Sequence, residues 1–114
     1  MKKIEAIIHS SKLKDVKEAL ARVGIEGFSI LTVYGFGPQK SPTEVHYRGG
    51  SYVEEQEPKL KVEIVVVDYK AVQVSEAIRK AARMGRVSDG EILVLPVEEV
   101  VRIRTGERGS SAIC

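Results

Sequence analysis

Three glycine-marked turns near cationic residues carry the residue types best suited to gripping phosphate. The first is Gly35-Phe36-Gly37-Pro38-Gln39-Lys40. Glycine lets the backbone come close to an anion, and successive N–H groups can form an anion-binding nest. The second, residues 84–90, is Met84-Gly85-Arg86-Val87-Ser88-Asp89-Gly90, whose backbone can cradle phosphate oxygens in the same way. The third is Arg102-Ile103-Arg104-Thr105-Gly106-Glu107. If that segment is extended, its period of two puts both guanidinium forks on one face, where they suit phosphate oxygens. Taken singly, each is an ordinary turn or a solvated edge; their force depends on the elements that hold them.

Catalytic patterns are missing. The chain has no P-loop, no GxGxxG and no histidine pair at metal-ligand spacing. His9 and His46 are far apart in sequence and read as surface residues. No base is evident beside the hydroxyls of Ser10, Ser11 and Ser29. A hydrolase reading, of nucleotides or acyl phosphates, would need a positioned nucleophile and a base. The expectation is a binding protein and not an enzyme.

Composition narrows the class further. At 114 residues the chain suits one domain, 1–114, small enough that oligomerisation would help it bury surface. Aromatics make up 5% of residues and Trp is absent, so the core falls to Val, Ile, Leu and Ala. A net charge of +2, spread along the chain, argues against nucleic acid or a membrane surface as partner. No apolar run approaches the roughly 20 residues of a membrane span. The start, Met1-Lys2-Lys3-Ile4-Glu5, meets charge too early for a signal peptide. The single cysteine, Cys114, permits no internal disulfide and no cysteine zinc site. The expected location is the cytoplasm.

The hydrophobic period switches repeatedly. Residues 2–8 read as a strand with Ile4, Ala6 and Ile8 on one face and Lys3 and Glu5 on the other. Ser10 or Ser11 can cap a helix whose stripe is Leu13, Val16, Leu20 and Val23, and Gly24 suits its stop. A strand follows from Phe28 to about Phe36. Residues 37–57, with Pro38, Pro42, Gly49 and Gly50, show no sustained apolar period. They predict a long mobile loop of the functional kind. The pattern then repeats: a strand from Lys59 to Val67, a helix with Val74, Ala77, Ile78 and Ala81 on its stripe and Gly85 at its stop, and a strand from Ile92 to Val97. Val100 to Arg104 is expected to be short and extended. Strand-helix-strand, loop, strand-helix-strand predicts an α+β, ferredoxin-like double βαβ sandwich with both helices on one face of an antiparallel sheet.

Over nearly its whole length the chain resembles the PII nitrogen-regulatory signal-transduction proteins. The residues that carry the likeness are MKKIEAII, EALARVGIEGFSI, GFGPQK, TEVHYRGGSY, PKLKVEIVV, GRVSDGEI and VVRIRTGERG, in that order along the chain. The resemblance implies a homotrimer with an ATP or ADP site in each cleft between subunits. By position, Ile7, Ser29, Glu63 and Val65 would lie around adenine and ribose, and Gly35, Phe36, Gly37 and Pro38 at the loop base. The turn Arg86, Val87, Ser88, Asp89 and Gly90 would hold phosphates, with Arg102 and Arg104, in the 102–109 loop, reaching across from a neighbour. 2-Oxoglutarate would bind beside ATP through Mg²⁺ ligated by Gln39, with Lys40 and Lys59 nearby, because a dicarboxylate and a triphosphate repel unless a cation bridges them. Ligand binding would bias the long loop, which docks on targets such as an ammonium channel or a nitrogen-assimilation enzyme.

The chain departs from the family's usual pattern at several places around that site. Glu91 stands where many members have lysine, which implies weaker ATP binding relative to ADP or AMP. Pro38 replaces a common cation, Ser41-Pro42 replaces Gly-His, and His9-Ser10-Ser11 replaces Lys-Pro-Phe. His46 reads as an insertion, and Tyr52 aligns with the tyrosine that some members present for uridylylation or adenylylation. These departures make the alternative a divergent paralogue that reads adenine nucleotides or another small anion without 2-oxoglutarate.

Overall fold

The computed structural model describes residues 1–34, 44–47, 50–53, 58–86 and 89–113. A four-stranded antiparallel sheet is built from β1 (Lys2–Ile8), β2 (Ser29–Val33), β5 (Lys59–Val66) and β6 (Gly90–Pro96). Its order is β2-β5-β1-β6. Helices α1 (Leu13–Arg22) and α2 (Ala71–Ala82) connect the strands of each half. This is the expected ferredoxin-like arrangement, and it places the two halves' first strands, β1 and β5, side by side at the centre.

Alternation decides which side of the sheet is dry. Ile4, Ala6 and Ile8 of β1 and Val62, Ile64 and Val66 of β5 are buried, with Ile4 opposite Ile64, Ala6 opposite Val62 and Ile8 opposite Leu60. Val16 and Leu20 of α1, with Val74 and Ile78 of α2, close over them with no exposure. Burying each such side chain contributes roughly 1.5–3 kcal/mol against leaving it in water. Both helices therefore sit on one face, and the other face of the sheet carries Lys3, Glu5, Ile7, Lys61, Glu63 and Val65.

Local signals were partly replaced. The turn before α1 is capped by His9, whose Nδ1 accepts from the Ser11 amide at 3.2 Å, and not by Ser10 or Ser11. The imidazole reaches its acceptor just where a serine cap would, after which a 3₁₀ turn, Ser10–Lys12, leads into the helix. Gly24 ends α1 at φ 83, as its type requires, and Gly85 takes φ 77 three residues after α2. Lys70 reaches across from the start of α2 to donate to the Val23 carbonyl at 3.3 Å, satisfying one free acceptor at the end of α1.

Residues 37–57 are not wholly irregular. They contain a hairpin of β3 (Glu44–Tyr47) and β4 (Gly50–Val53), with Val45 opposite Tyr52. Strands of four residues are too short for a period of two to stand out against flanking Gly and Pro. Gly35 to Lys40, and with them the expected loop base, lie outside the described residues, as do Val87 and Ser88.

Candidate functional site

The open face of the sheet gathers four of the expected site residues. Register places Leu31, Lys61, Ile7 and Glu91 in one row across β2, β5, β1 and β6, and Ser29, Glu63, Glu5 and Leu93 in the next. Paired residues share a face. Ser29 and Glu63 are therefore direct neighbours, Ile7 lies one row away, and Val65 follows two residues along β5. Lys59 opens β5 opposite Val33, at the end of the sheet toward the chain's first turn residues.

A group of charges that the sequence reading did not bring together occupies the middle of that face. The Lys3 ammonium lies 2.9 Å from the Glu5 carboxylate and 3.2 Å from that of Glu63, and Lys61 lies 3.5 Å from Glu63. The bond to Lys3 holds the Glu5 carboxyl below the usual glutamate range, and Glu5, then Glu63, raise the Lys3 ammonium. The Lys-x-Glu spacing at Lys3–Glu5 and Lys61–Glu63 was the available signal, since period two on adjacent strands must stack such pairs. Glu63, expected beside the ribose, is thus already an ion-pair acceptor.

The turn after α2 adjoins this face at the far end of β1. Three consecutive amides converge on one carboxylate there: Met84 and Gly85 donate to Asp89 Oδ2 at 2.8 and 3.0 Å, and Arg86 donates to Oδ1 at 3.2 Å. The Met84 amide does most to hold the Asp89 carboxyl below the ordinary aspartate range. The Arg86 and Gly85 amides and the Arg86 charge act in the same direction, against partial burial. The turn closes with the Asp89 amide donating to the Arg86 carbonyl at 3.2 Å. The next residue, Gly90, has φ 112 and lies so near β1 that a Cβ would fall 1.8 Å from the Ile7 carbonyl oxygen. Only glycine fits both demands.

The C-terminal segment corrects one expectation. Arg102 and Arg104 do not alternate along a strand: Val101 makes an isolated bridge to Arg108, and residues 103–105 form a turn. The Gly106 amide donates to the Arg102 carbonyl at 2.7 Å and the Arg102 amide to the Glu107 carbonyl at 2.9 Å, and Gly106 takes φ 74. Gly106 marks a turn, as its type suggested, but the turn folds the chain back on Arg102 where an extended segment was expected. Arg102 is half-buried and donates to the Ala112 carbonyl at 3.1 Å, whereas Arg104 is exposed and Ile103 is 100% exposed. The chain leaves β6 at Pro96, opposite Lys2 and at the other end of the strand from Gly90, and reaches this segment through residues 97–101. A seven-residue strand is about 23 Å long.

A second correction concerns Ser11. Its hydroxyl lies 2.8 Å from His9 Nδ1, so a base does stand next to it. The same nitrogen accepts the Ser11 amide, which makes the pair part of a helix cap. Among the described residues, no group of three His, Cys, Asp or Glu side chains converges to hold a metal. No helix among them is long and apolar enough to cross a membrane.

The family model for nitrogen regulatory protein P-II matches residues 1–107. The chain belongs to the P-II family. It is 56% identical to the nitrogen regulatory protein P-II of Azospirillum brasilense over 113 residues, covering 99% of this chain and 100% of that one. It is 57% identical to that of Rhizobium meliloti over the same shares. Among solved structures, the crystal structure of Arabidopsis thaliana PII bound to citrate superposes with a TM-score of 0.79 at 37% identity, over 97% of this chain and 90% of that one. The P-II family is one of nitrogen-regulatory signalling proteins, as the resemblance implied. The open sheet face and the Asp89 turn are then features of a P-II regulator.

Proposed function

We propose that this P-II protein binds ATP or ADP in clefts between the subunits of a homotrimer and reports nitrogen, carbon and energy status to target proteins. The observation that carries the reading is the turn at 84–90, pinned by Asp89 on one side and by Gly90 against β1 on the other, next to Ile7 on the open sheet face. A glycine-bearing turn held against a strand end in this way lets backbone come close to phosphate oxygens. Half-buried Ile7, Glu63 and Val65, with exposed Ser29 beside Glu63, offer a surface for the base and sugar. Arg102 and Arg104 belong to a loop that starts from the other end of β6, so the guanidinium groups reach phosphate from a neighbouring copy. The exposed Leu31, Leu93 and Ile103 give that copy an apolar surface to cover.

Mg²⁺ would be held by Gln39 together with ligand oxygens, a donor set that suits a hard cation. It supplies the positive charge that lets 2-oxoglutarate sit beside a triphosphate, with Lys40 and Lys59 attracting the carboxylates. The hairpin-bearing loop of residues 37–57 is the segment that docks on targets, an ammonium channel or a nitrogen-assimilation enzyme, and Tyr52 on β4 is a modification candidate. The site of action is the cytoplasm. Calorimetric titration with ATP and ADP, with and without Mg²⁺ and 2-oxoglutarate, tests the reading. Micromolar adenylate binding, tightened by 2-oxoglutarate only when Mg²⁺ and ATP are present, is expected; a chain indifferent to every adenylate sinks it.

One observation favours the divergent form that ignores 2-oxoglutarate. Glu91 directly follows the turn, is exposed, and stands in register with Ile7 on the open face. A carboxylate there repels the outer phosphates of ATP more than those of ADP. Glu91→Lys should then raise ATP affinity several-fold while leaving AMP affinity unchanged; equal effects on both would remove Glu91 from the site.

A further inference from the structure

Two opposite charges stand without partners near opposite ends of β6. On the open face, Glu5 and Glu63 are taken up by Lys3 and Lys61. Glu91, in register with Ile7 on the same face, is exposed and makes no hydrogen bond or ion pair among the described residues. The other charge stands on the ribbon that follows β6. That ribbon is held by the Val101–Arg108 bridge, by the Arg102 amide on the Glu107 carbonyl at 2.9 Å and by the Gly109 amide on the Val100 carbonyl at 3.1 Å. Its acids are engaged: Glu107 accepts from the Thr105 hydroxyl at 2.9 Å, and Glu99 lies 3.5 Å from Arg108. Arg104, exposed at the tip, has no such partner among the described residues, and Ile103 beside it is 100% exposed. The strand from Glu91 to Pro96 is about 17 Å long, and the two charges do not meet within one copy. Unlike, complementary patches on one chain are what head-to-tail packing joins, and a ring of copies closes it.

Resting on the trimer and nucleotide reading above, we infer that Arg104 of each copy pairs with Glu91 of its neighbour. Ile103 packs against that neighbour's Leu93, which lies two residues from Glu91 on the same face and is 41% exposed. An arginine–carboxylate pair at such a seam fixes which surfaces meet and in what register. Glu91 also directly follows Gly90 and the turn proposed to take phosphate, so carboxylate and ligand draw on one guanidinium. Without nucleotide the carboxylate holds the arginine in place. A polyphosphate, with more charge and more acceptor oxygens, takes the arginine over and leaves Glu91 to solvent. The contact between copies is thus preset by a side chain that the ligand replaces.

The test uses the full chain without nucleotide, as wild type, Glu91→Gln, Arg104→Gln and the exchange of Glu91→Arg with Arg104→Glu. Each is checked for folding by circular dichroism, and light scattering on dilution gives the concentration at which trimers half-dissociate. Either single variant should raise that concentration about tenfold, since every seam loses a pair. The exchange restores the pair in reverse and should return the value to within about threefold of wild type. Saturating ATP should close the gap for Glu91→Gln but not for Arg104→Gln, which has no guanidinium to give. Single variants that dissociate like wild type overturn the inference. So does an exchange that dissociates as readily as the single variants, and so does a Glu91→Gln deficit that ATP leaves untouched. A wild type that is monomeric at every concentration overturns the trimer reading, and this inference with it. A trimeric wild type indifferent to ATP overturns the nucleotide reading and the competition for Arg104, while the exchange still decides the pair; a trimeric wild type that binds ATP leaves both readings standing whatever the variants do.

Discussion

Two adjacent residues at the turn act through different physics. Gly90 is required by space: a methyl group at that Cα would meet the Ile7 carbonyl at 1.8 Å, in a backbone conformation of φ 112 that other residues resist. Gly90→Ala should cost about 3 kcal/mol or more, read as a lowered urea midpoint at unchanged slope. A loss below about 0.5 kcal/mol would mean that β1 and β6 can separate there at little cost. Asp89 acts by charge. Its folded-state carboxyl is held below its unfolded value by the Met84, Arg86 and Gly85 amides and the Arg86 charge, so the unfolded chain takes up the proton first on acidification. The stability it adds is present above the unfolded value, about 3.9, and is lost as pH falls from there through the depressed folded value. The advantage of wild type over Asp89→Asn in urea midpoint should be full near pH 6 and shrink steadily below pH 4; a constant gap would place the carboxylate outside the nest.

At the scale of elements, the helices were readable because their stripes are apolar in period 3.6; Gly24 follows α1 as expected, whereas α2 stops at an extended Arg83, two residues before Gly85. Val16 and Leu20 on α1 and Val74 and Ile78 on α2 are buried as their spacing demands. Ile78 has no exposure and Val72, on the same helix, is 74% exposed. Ile78→Ala should therefore destabilise by roughly 2–5 kcal/mol, while Val72→Ala stays within about 0.5 kcal/mol. Chemical denaturation of both variants checks this, and similar losses in the two would contradict the assigned inner face. The elements that escaped the sequence were short ones. The β3–β4 hairpin has four residues a side, and the Arg102–Glu107 turn replaces an expected strand because Gly106 at φ 74 folds the chain back on Arg102.

The whole molecule leaves one sheet face uncovered. Lys3, Glu5, Lys61 and Glu63 pair among themselves at its centre, so their formal charges cancel and covering them strands no lone ion. Leu31 at 43% and Leu93 at 41% exposure flank them, and Ile103 stands fully exposed on its turn. A second and third copy covering this face complete the proposed trimer and carry arginines to the phosphate turn. Leu93→Arg should convert trimers to monomers in light scattering and lower ATP affinity more than tenfold. Monomers that bind ATP as tightly as wild type would show that one chain holds the whole site.

Residue types and their order settled the α+β class, the two helices, the buried faces of β1 and β5, and membership of the P-II family, because periodicity and a collinear series of motifs are properties of the chain itself. Only the tertiary structure decided that Lys3, Glu5, Lys61 and Glu63 meet, that the Asp89 carboxylate takes the amides of Met84, Gly85 and Arg86, and that His9 caps the turn before α1. Those facts depend on which strands become neighbours and on where a side chain can reach once the backbone has turned, and a linear pattern carries neither distance nor direction.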